Sequence, residues 1–284
     1  MCRVLRVSAS GYYAWRCRPE SSRVCVNRRL LTEIQAIHTK STGTYGSLRV
    51  QAELYDRGYF CGRHRVARLM GSAGLQGIPK RRFRHTTTSD HTLPVAPNRL
   101  KQDFTATVPN QRWVGDITYL RTGEGWLYLA VILDLYSRKV VGWSLSARLQ
   151  RDLVMEALRM ALGRRTPAPG LIHHSDRGSQ YASNDFQNLL RDRGIACSMS
   201  GPGNCYDNAV VESFFATLKR ERVHRRNYRI RAEATADLFQ YIEIFYNRQR
   251  RHSSVGHLNP TQFERQAMKE NNTSSGNETY KGGE

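Results

Sequence analysis

Three acidic residues stand out as candidates for chemistry because of the segments that carry them. Asp116 lies inside RWVGDITYL, whose β-branched and aromatic residues predict a strand. Asp176 ends the short segment LIHHSD, which predicts a buried strand. Glu212 lies inside CYDNAVVESFFATLKRE, which predicts a helix, and the 35 residues 177–211 separate it from Asp176. These three contexts allow the carboxylates to converge on one site.

Convergence of the three carboxylates requires a particular order of strands in the sheet. A mixed sheet can place its first and fourth strands side by side, and a helix packed over that edge then points one residue towards both strand carboxylates. Three such groups would repel each other unless a cation neutralised them. Oxygen-only ligands suit Mg²⁺ or Mn²⁺. Two ions about 3.5–4 Å apart can activate an attacking oxygen and stabilise the leaving oxygen in phosphoryl transfer.

The helix around Glu212 carries a strip of residues that suits such a site. At helical spacing, four residues share its face: Asn208, Ala209, Ala216 and Lys219. The alanines allow close approach, and Lys219 is placed to meet a phosphate. We expect the apolar side chains of the helix to be buried away from this strip: Phe214, Phe215 and Leu218. Asp207 is expected to be the N-cap of the helix rather than a ligand.

Each acidic residue also has a structural interpretation. Asp116 could pair with an arginine, Asp176 could cap a turn, and Glu212 could form a surface strip with Lys219. Asp134, at a strand end before a Tyr-Ser-Arg turn, is expected to be structural. His173 and His174 alternate faces, so at most one faces the site; we expect them in the core or supporting the carboxylates.

The composition indicates a polyanionic partner. The chain has 284 residues with 44 Lys+Arg against 24 Asp+Glu, a formal charge of +20 and a pI near 10.2. It contains no apolar run of membrane-spanning length and no signal-peptide core. Its six cysteines form no CxxC pair, which favours free thiols in a reducing cytoplasm. A zinc site around His38 and His64 lacks ligand spacing.

Residues 1–77 predict a helical DNA-binding region. NRRLLTEIQAIHTK and SLRVQAELYD each suit a helix, the second with an apolar strip of Leu48, Gln51, Ala52 and Tyr55 that ends before Gly58. GRHRVARLMGSAG suits a third, with Val66, Leu69, Met70 and Ala73 on one face. Two short helices around a glycine-bearing turn predict a helix-turn-helix. Its groove-facing residues would be Arg63, Arg65 and Arg68.

The rest of the chain divides into four predicted regions. Residues 78–108 form a basic linker in which Lys80, Arg81, Arg82 and Arg84 could follow a phosphate backbone, or simply be solvated. Residues 109–228 predict a catalytic core with the order βββ-α-β-α-β-α. Residues 229–268 form a helical extension that begins with one long helix, 231–250. Residues 269–284 are predicted to be disordered.

Several motifs resemble one family from end to end. WVGDITYL, VILDLYSRKVVGW, HHSDRGSQYAS and CYDNAVVESFFATLKRE are similar to the integrase core of bacterial insertion-sequence transposases, specifically the second-frame product of the IS3 group. VSASGYYAW resembles the N-terminal motif of that family, and YIEIFYNRQRRHSSVGHLNPTQFE its C-terminal signature. The retroviral zinc module of two histidines and two cysteines is missing.

The resemblance implies an α/β, ribonuclease-H-like fold with a mixed sheet flanked by helices, behind a small all-α helix-turn-helix domain. It implies that Asp116, Asp176 and Glu212 are the catalytic and metal-binding triad, with Mg²⁺ as cofactor and Mn²⁺ as a substitute. The implied reaction frees a 3′-hydroxyl at each element end, using water, and joins it to target DNA. Lys219 is implied to contact terminal DNA, and we expect Arg220 and Arg222 to continue that phosphate track.

The first implied partner is double-stranded DNA, both the terminal repeats of the element and the target. The second is further copies of the chain bound to DNA. The third is the upstream first-frame protein, supplied separately or as a frameshift fusion. The chain begins at Met1 without that segment, so we expect dependence on it. The expected location is the bacterial cytoplasm, at the nucleoid. Two alternatives remain: an inactive or partner-dependent DNA-binding regulator, and a ribonuclease-H-type hydrolase of hybrids. Arg250, Arg251 and His252 could line DNA or solvate a helix end.

Overall fold

The chain folds into two compact units, Met1–Pro79 and Lys80–Glu284. The structure, a computed structural model, describes residues 2, 4–79, 95–201 and 205–276, without the side chains of residues 205, 206 and 271–276. Within these residues, no helix has both the length and the apolar character needed to cross a membrane.

The first unit consists of four helices. They are α1 (Ala9–Cys17), α2 (Ser22–Lys40), α3 (Ser47–Asp56) and α4 (Arg63–Ser72). Helices α2, α3 and α4 pack on one another around a common aliphatic core made of Leu30, Ile34, Ile37, Val50, Leu54, Val66, Leu69 and Met70. The three predicted helices are thus present, and the predicted apolar face of α4 is buried at all but Ala73, the C-cap.

The predicted apolar face of α3 is wrong. Val50 and Leu54 are the buried residues of this helix, whereas Leu48 and Tyr55 are exposed. Val50 and Leu54 are one helical turn apart, and burying two fully aliphatic side chains is more favourable than burying a strip that contains a glutamine. The helix does end before Gly58, which has a positive φ of 82° that glycine tolerates best.

A five-stranded mixed sheet forms the centre of the second unit. The strands are β1 (Arg112–Thr122), β2 (Gly125–Asp134), β3 (Val140–Ser146), β4 (Ile172–Ser175) and β5 (Ala196–Met199). Their order is β3-β2-β1-β4-β5. The first three form the predicted antiparallel meander, and β4 lies parallel to both β1 and β5. The first and fourth strands are therefore neighbours, as the convergence of Asp116 and Asp176 requires.

Helices cover both faces of this sheet. One core cluster lies under α5 (Arg151–Arg164) and α7 (Asn184–Asp192), with Leu158 and Phe186 among its residues. The other lies under α8 (Ala209–Glu221) and α9 (Arg231–Phe239), with Phe214 and Leu238. A short helix not predicted from the sequence, α6 (Ser179–Ala182), follows β4, and α10 (Pro260–Gly276) ends the described chain.

Three predicted boundaries differ from the structure. Residues 95–108 are not linker, because Leu100 is buried in the core and its amide and that of Arg99 donate to Ser198 Oγ. The predicted helix 231–250 becomes a π-helix over Gln240–Tyr246, and it packs into the same core as β1 instead of forming a separate extension. Residues 269–276 continue α10 rather than being disordered.

Candidate functional site

Asp116 on β1 and Asp176 just after the end of β4 occupy equivalent positions relative to two neighbouring parallel strands. The last paired residues of β1 and β4 are Val114 and His174. Each carboxylate residue follows two positions later, so both side chains emerge at the same edge of the sheet, where the strands separate. Both residues are partly exposed to solvent, although protein atoms surround the Asp116 carboxylate on most sides.

Local hydrogen bonds orient these two carboxylates. The amide of Ile117 donates to Asp116 Oδ1 at 2.7 Å. The amide of Gly178 donates to Asp176 Oδ1 at 3.0 Å, so Asp176 closes the turn that leads into α6. The turn-capping interpretation of Asp176 is therefore correct as geometry. One such bond uses only part of the accepting capacity of a carboxylate.

Glu212 reaches the site from the first turn of α8, not from the middle of the helix as the sequence indicated. The start of α8 is attached to β1, because Asn208, its N-cap residue, donates from Nδ2 to the carbonyl oxygen of Gly115 at 3.2 Å. Asn208 is buried. This bond fixes the helix start beside the residue that precedes Asp116, and no sequence pattern had suggested it.

The charges of the three acidic residues influence one another. Burial raises the pKa of Asp116 well above its usual value, the nearby charge of Asp176 raises it further, and Glu212 adds a smaller contribution. Lys219 acts in the opposite direction on Asp116. Burial lowers the pKa of Lys219, an effect that Asp116 partly offsets. The site thus carries more negative charge than one lysine compensates.

This donor set suits a hard divalent cation in its chemistry, because it consists of carboxylate oxygens whose repulsion a cation would relieve. Among the residues that the structure describes, no group of three or more His, Cys, Asp or Glu side chains is close enough to hold an ion together. Asp176 affects Asp116 more strongly than Glu212 does.

Two further acidic residues have structural roles. Asp134 is fully buried, and its oxygens accept from the amides of Asn110 and Tyr136 at 2.8 and 3.0 Å, as predicted. The N-cap prediction for Asp207 is wrong, since Asn208 holds that position. Asp207 lies in a 3₁₀ turn (Cys205–Asn208), where its Oδ2 accepts from Asn98 Nδ2 and from the Gly201 amide, both at 2.8 Å.

The two histidines of β4 belong to the protein core. His173 packs between Tyr181 and Phe186, and burial lowers its pKa to about 3. A Cβ added at Gly115 would lie only 3.0 Å from its Nε2, so a larger residue next to Asp116 would require this ring to shift by a few tenths of an ångström. His174 exchanges hydrogen bonds with the hydroxyls of Ser198 and Ser200.

The structure separates the predicted DNA-contacting residues into different groups. Lys219 lies beside the site, with its Nζ 5.2 Å from the ring centroid of Tyr119. Arg220 is half-buried near Thr217. Arg222 donates from Nε to Asp237 Oδ1 and from Nη2 to Gln240 Oε1, at 3.0 Å each, so part of its guanidinium is bound within the protein. Its contact with DNA stays a prediction.

Arg250, Arg251 and His252 neither line an open surface nor solvate a helix end. All three are buried. In the first unit, Arg63 and Arg68 are exposed on α4, whereas Arg65 is partly buried and donates to Asn27 Oδ1 of α2 at 2.9 Å. The basic residues Lys80, Arg81, Arg82 and Arg84 lie outside the described residues.

Comparison with known families gives matches over both units. An integrase core domain family matches residues 106–205, a second integrase core domain family matches residues 193–260, and an HTH-like domain family matches residues 26–83. These matches cover the sheet, the three acidic residues and the helix that carries Arg63, Arg65 and Arg68.

Two curated relatives align with nearly the whole chain. It is 49% identical over 263 residues to the insertion element IS600 uncharacterized 31 kDa protein of Shigella sonnei. This alignment covers 93% of this chain and 97% of the relative. It is 47% identical over 266 residues to the transposase InsF for insertion sequence IS3A of Escherichia coli strain K12, with 93% and 92% covered.

Among solved structures, the chain is similar to retroviral integrases. The simian T-cell lymphotropic virus intasome in complex with the PP2A regulatory subunit B56 gamma gives a TM-score of 0.47 at 18% identity, covering 81% of this chain and 74% of that chain. The HTLV-2 integrase catalytic core domain in complex with magnesium gives 0.44 at 18% identity, with 56% and 99% covered.

Proposed function

The chain belongs to the IS3 family of insertion-sequence transposases, and on that premise we propose that it cleaves the ends of its element to a 3′-hydroxyl and joins that hydroxyl to target DNA. The observation that carries the proposal is the emergence of Asp116 and Asp176 at equivalent positions of two paired strands, with Glu212 on the helix above. A charge of +20 suits the DNA substrate.

Asp116, Asp176 and Glu212 are proposed to hold Mg²⁺, with Mn²⁺ as a substitute. The support is the oxygen-only donor set and the mutual repulsion that raises the pKa of Asp116. The ions would supply Lewis-acid stabilisation of the attacking and leaving oxygens. Asp116 and Asp176 each lie two positions after the last paired residues of β1 and β4, and Glu212 is proposed to complete the set.

The proposed reaction has two steps, and in both of them the protein side chains position the DNA. In the first step, the oxygen of a water molecule attacks the scissile phosphorus, and the 3′-oxygen of the element leaves and takes up a proton. In the second step, that 3′-hydroxyl attacks a target phosphorus and a target 3′-oxygen leaves. One P–O bond forms as another breaks in each step, so no external energy source is needed. Lys219 is proposed to bind a phosphate next to the scissile bond.

The first unit is proposed to recognise the terminal repeats. Its HTH-like match and the exposed Arg63 and Arg68 on α4 support contact with duplex DNA. Arg65 is a weaker candidate because Asn27 already binds it. Assembly of several copies on DNA, cooperation with a first-frame protein or its frameshift fusion, and action at the nucleoid complete the proposal.

A strand-transfer assay tests this function. Purified protein is incubated with labelled duplex carrying the terminal repeat, with Mg²⁺ or Mn²⁺, and nicked and joined products are separated on a denaturing gel. Asp116→Asn, Asp176→Asn and Glu212→Gln should each abolish both products, whereas Asp192→Asn, an exposed acidic residue on α7, should retain them. Retained joining in any one of the three variants would remove that residue from the triad.

If wild type binds the duplex but makes no products, the first-frame protein is added. Products that appear only then would establish partner dependence. Absence of products with the partner present would overturn the proposed reaction and favour a DNA-binding regulator. A matched RNA–DNA hybrid substrate distinguishes a transposase from a hybrid hydrolase, because only the hydrolase would cleave the hybrid in preference to duplex DNA.

A further inference from the structure

Two large aromatic side chains lie exposed next to each other on the β1–β2 hairpin. Tyr119 is 55% exposed and Trp126 is 48% exposed, and their rings meet edge to face with centroids 5.1 Å apart. Tyr119 is paired with Tyr128, and Arg121 with Trp126, so these four residues share one face of the hairpin. We call this face the hairpin aromatic face. Its rings are available to a ligand.

The hairpin is held in place without a ligand. Beyond Val114, β4 no longer pairs with β1, so within the described residues β2 is the one strand neighbour of this part of β1. The hairpin tip is attached elsewhere: the amide of Gly123 donates to the Tyr228 carbonyl at 2.9 Å, and Arg231 Nη2 donates to the Glu124 carbonyl at 2.6 Å. A rigid aromatic surface loses little entropy when it binds.

Lys219 connects this face to the acidic residues. Its Nζ lies 5.2 Å from the centroid of the Tyr119 ring, and it is also within electrostatic range of Asp116. Asp116 and Tyr119 are three strand steps apart, about 10 Å at roughly 3.3 Å each, and alternation along the strand turns their side chains to opposite faces. That span equals about three base steps of a DNA strand at about 3.4 Å each. A DNA strand with its phosphate at Asp116 would therefore reach Tyr119 around the edge of β1 that β4 leaves unpaired, where Lys219 lies near both residues.

From these observations, we propose that Tyr119 and Trp126 form a stacking surface for unpaired bases of the DNA end next to the scissile phosphate. Aromatic side chains stack on every base, and a cation beside them binds the adjoining phosphates. A second copy of the chain is the other possible occupant, but Lys219 and Arg121 beside the rings and a charge of +20 favour a polyanion. The inference rests on the proposed function, because it places DNA at Asp116.

Binding of three DNA probes tests the proposal without requiring catalysis. The probes are a fluorescein-labelled blunt duplex, the same duplex with a single-stranded 3′ extension of thymidines, and the same extension with abasic sites. Wild type should bind the thymidine extension more tightly than the other two. Tyr119→Ala should reduce that preference by roughly 5- to 150-fold, the range measured for one stacked base, and leave blunt-duplex binding unchanged.

Variants separate stacking from other roles of the face. Tyr119→Phe keeps the ring and should keep the preference, whereas Tyr119→Leu keeps apolar contact and should lose it. Trp126→Ala should act like Tyr119→Ala. Phe239→Ala, which removes an aromatic ring that is 50% exposed on α9, is the matched control and should have no effect. Because the replaced side chains are half-exposed, the variants should fold, which a thermal melt verifies.

Three results would overturn the inference. One is an equal loss of affinity for all three probes, which indicates a phosphate contact. The second is no change in any variant. The third is dissociation of a dimer by Tyr119→Ala in size-exclusion chromatography without DNA, which assigns the face to a second copy. Failure of the proposed function looks different, because wild type would then yield no nicked or joined products in the strand-transfer assay, whether or not it binds the three probes.

Discussion

Arg250 and Glu221 form a buried ion pair with two hydrogen bonds. Arg250 Nε donates to Glu221 Oε2 and Nη2 donates to Oε1, both at 2.8 Å, and Tyr241 donates a further bond to Oε2 at 2.9 Å. Burial opposes the charge of Arg250, but Glu221 outweighs it and raises the pKa of the guanidinium above its usual value. Glu221 ends α8, so this pair fixes the far end of the helix that carries Glu212.

Arg250→Ala should lower the free energy of unfolding by about 3–5 kcal/mol, because it leaves the Glu221 carboxylate buried without its counter-ion. Urea unfolding measures this loss. Arg191→Ala, at an exposed position of α7, is the control and should change stability by no more than about 0.5 kcal/mol. The double variant Glu221→Leu with Arg250→Met should lose less than Arg250→Ala alone, since no unpaired charge remains. A single variant as stable as the control would contradict this account.

Asn208→Ala should reduce the rate of strand transfer while leaving duplex affinity unchanged. The substitution removes the bond from Nδ2 to the Gly115 carbonyl, which holds the start of α8 beside Asp116. A buried hydrogen bond contributes about 1–3 kcal/mol when its partner is left unpaired, which corresponds to roughly 5- to 150-fold in rate. Single-turnover kinetics at saturating DNA measure the rate, and fluorescence anisotropy measures the affinity.

Asn208→Asp should be at least as slow, because a carboxylate cannot donate to a carbonyl and adds charge beside Asp116. Asn184→Ala, at the exposed start of α7, is the matched control and should keep the wild-type rate. A normal rate in both Asn208 variants would show that the bond to Gly115 does not position the site. A loss of affinity instead of rate would point to a DNA contact.

The sheet and the acidic residues could be predicted because their signals are local. The strand around Asp116 is marked by its β-branched and aromatic residues, and a parallel neighbour for it follows from the order of the elements. The helix around Glu212 was predicted as well, although its start lies closer to Glu212 than the apolar pattern indicated. Whether these residues act as a triad remains a prediction.

The positions of two basic side chains depend on distant partners that the sequence does not reveal. Arg222 binds Asp237, and Arg250 binds Glu221, which is 29 residues away in the sequence. A basic residue in a chain with a charge of +20 looks like a DNA contact until its partner is known. Asn208 was missed for the same reason, since its acceptor is a backbone carbonyl 93 residues away that no side-chain pattern reveals.

His173 should make the unfolding free energy depend on pH below neutrality. Burial lowers its pKa to about 3 in the folded state, against about 6.5 in an unfolded chain. The unfolded state therefore binds more protons between these values, and stability is fully present above about pH 6.5 and falls as the pH drops towards 3. The loss reaches at most about 1.4 kcal/mol per pH unit for one proton.

Urea unfolding at pH values from about 4 to 7 measures this slope. His173→Leu should make it shallower by up to one proton, and His224→Leu, at an exposed position, should leave it unchanged. Only the slopes are compared, because His173→Leu also changes packing against Tyr181 and Phe186. An unchanged slope in His173→Leu would show that the buried ring does not account for the acid sensitivity.

Asp116→Asn should make the metal-free protein more stable and abolish its response to Mg²⁺. Burial and the charges of Asp176 and Glu212 disfavour the Asp116 carboxylate, so a neutral amide removes an unfavourable interaction. A gain of about 1 kcal/mol raises Tm by roughly 2–4 °C in a domain of this size. Thermal melts in chelator and in increasing Mg²⁺ measure both effects.

Wild type should gain about 2.7 kcal/mol when Mg²⁺ is in hundredfold excess over its dissociation constant, because the ion binds the folded state alone. Asp116→Asn should gain little, and Asp192→Asn, on the surface of α7, should behave like wild type in both conditions. An Asp116→Asn protein that Mg²⁺ stabilises as much as wild type would place the ion elsewhere. A wild type that shows no Mg²⁺ stabilisation would mean that the three carboxylates bind the ion only when DNA phosphate completes the ligand set.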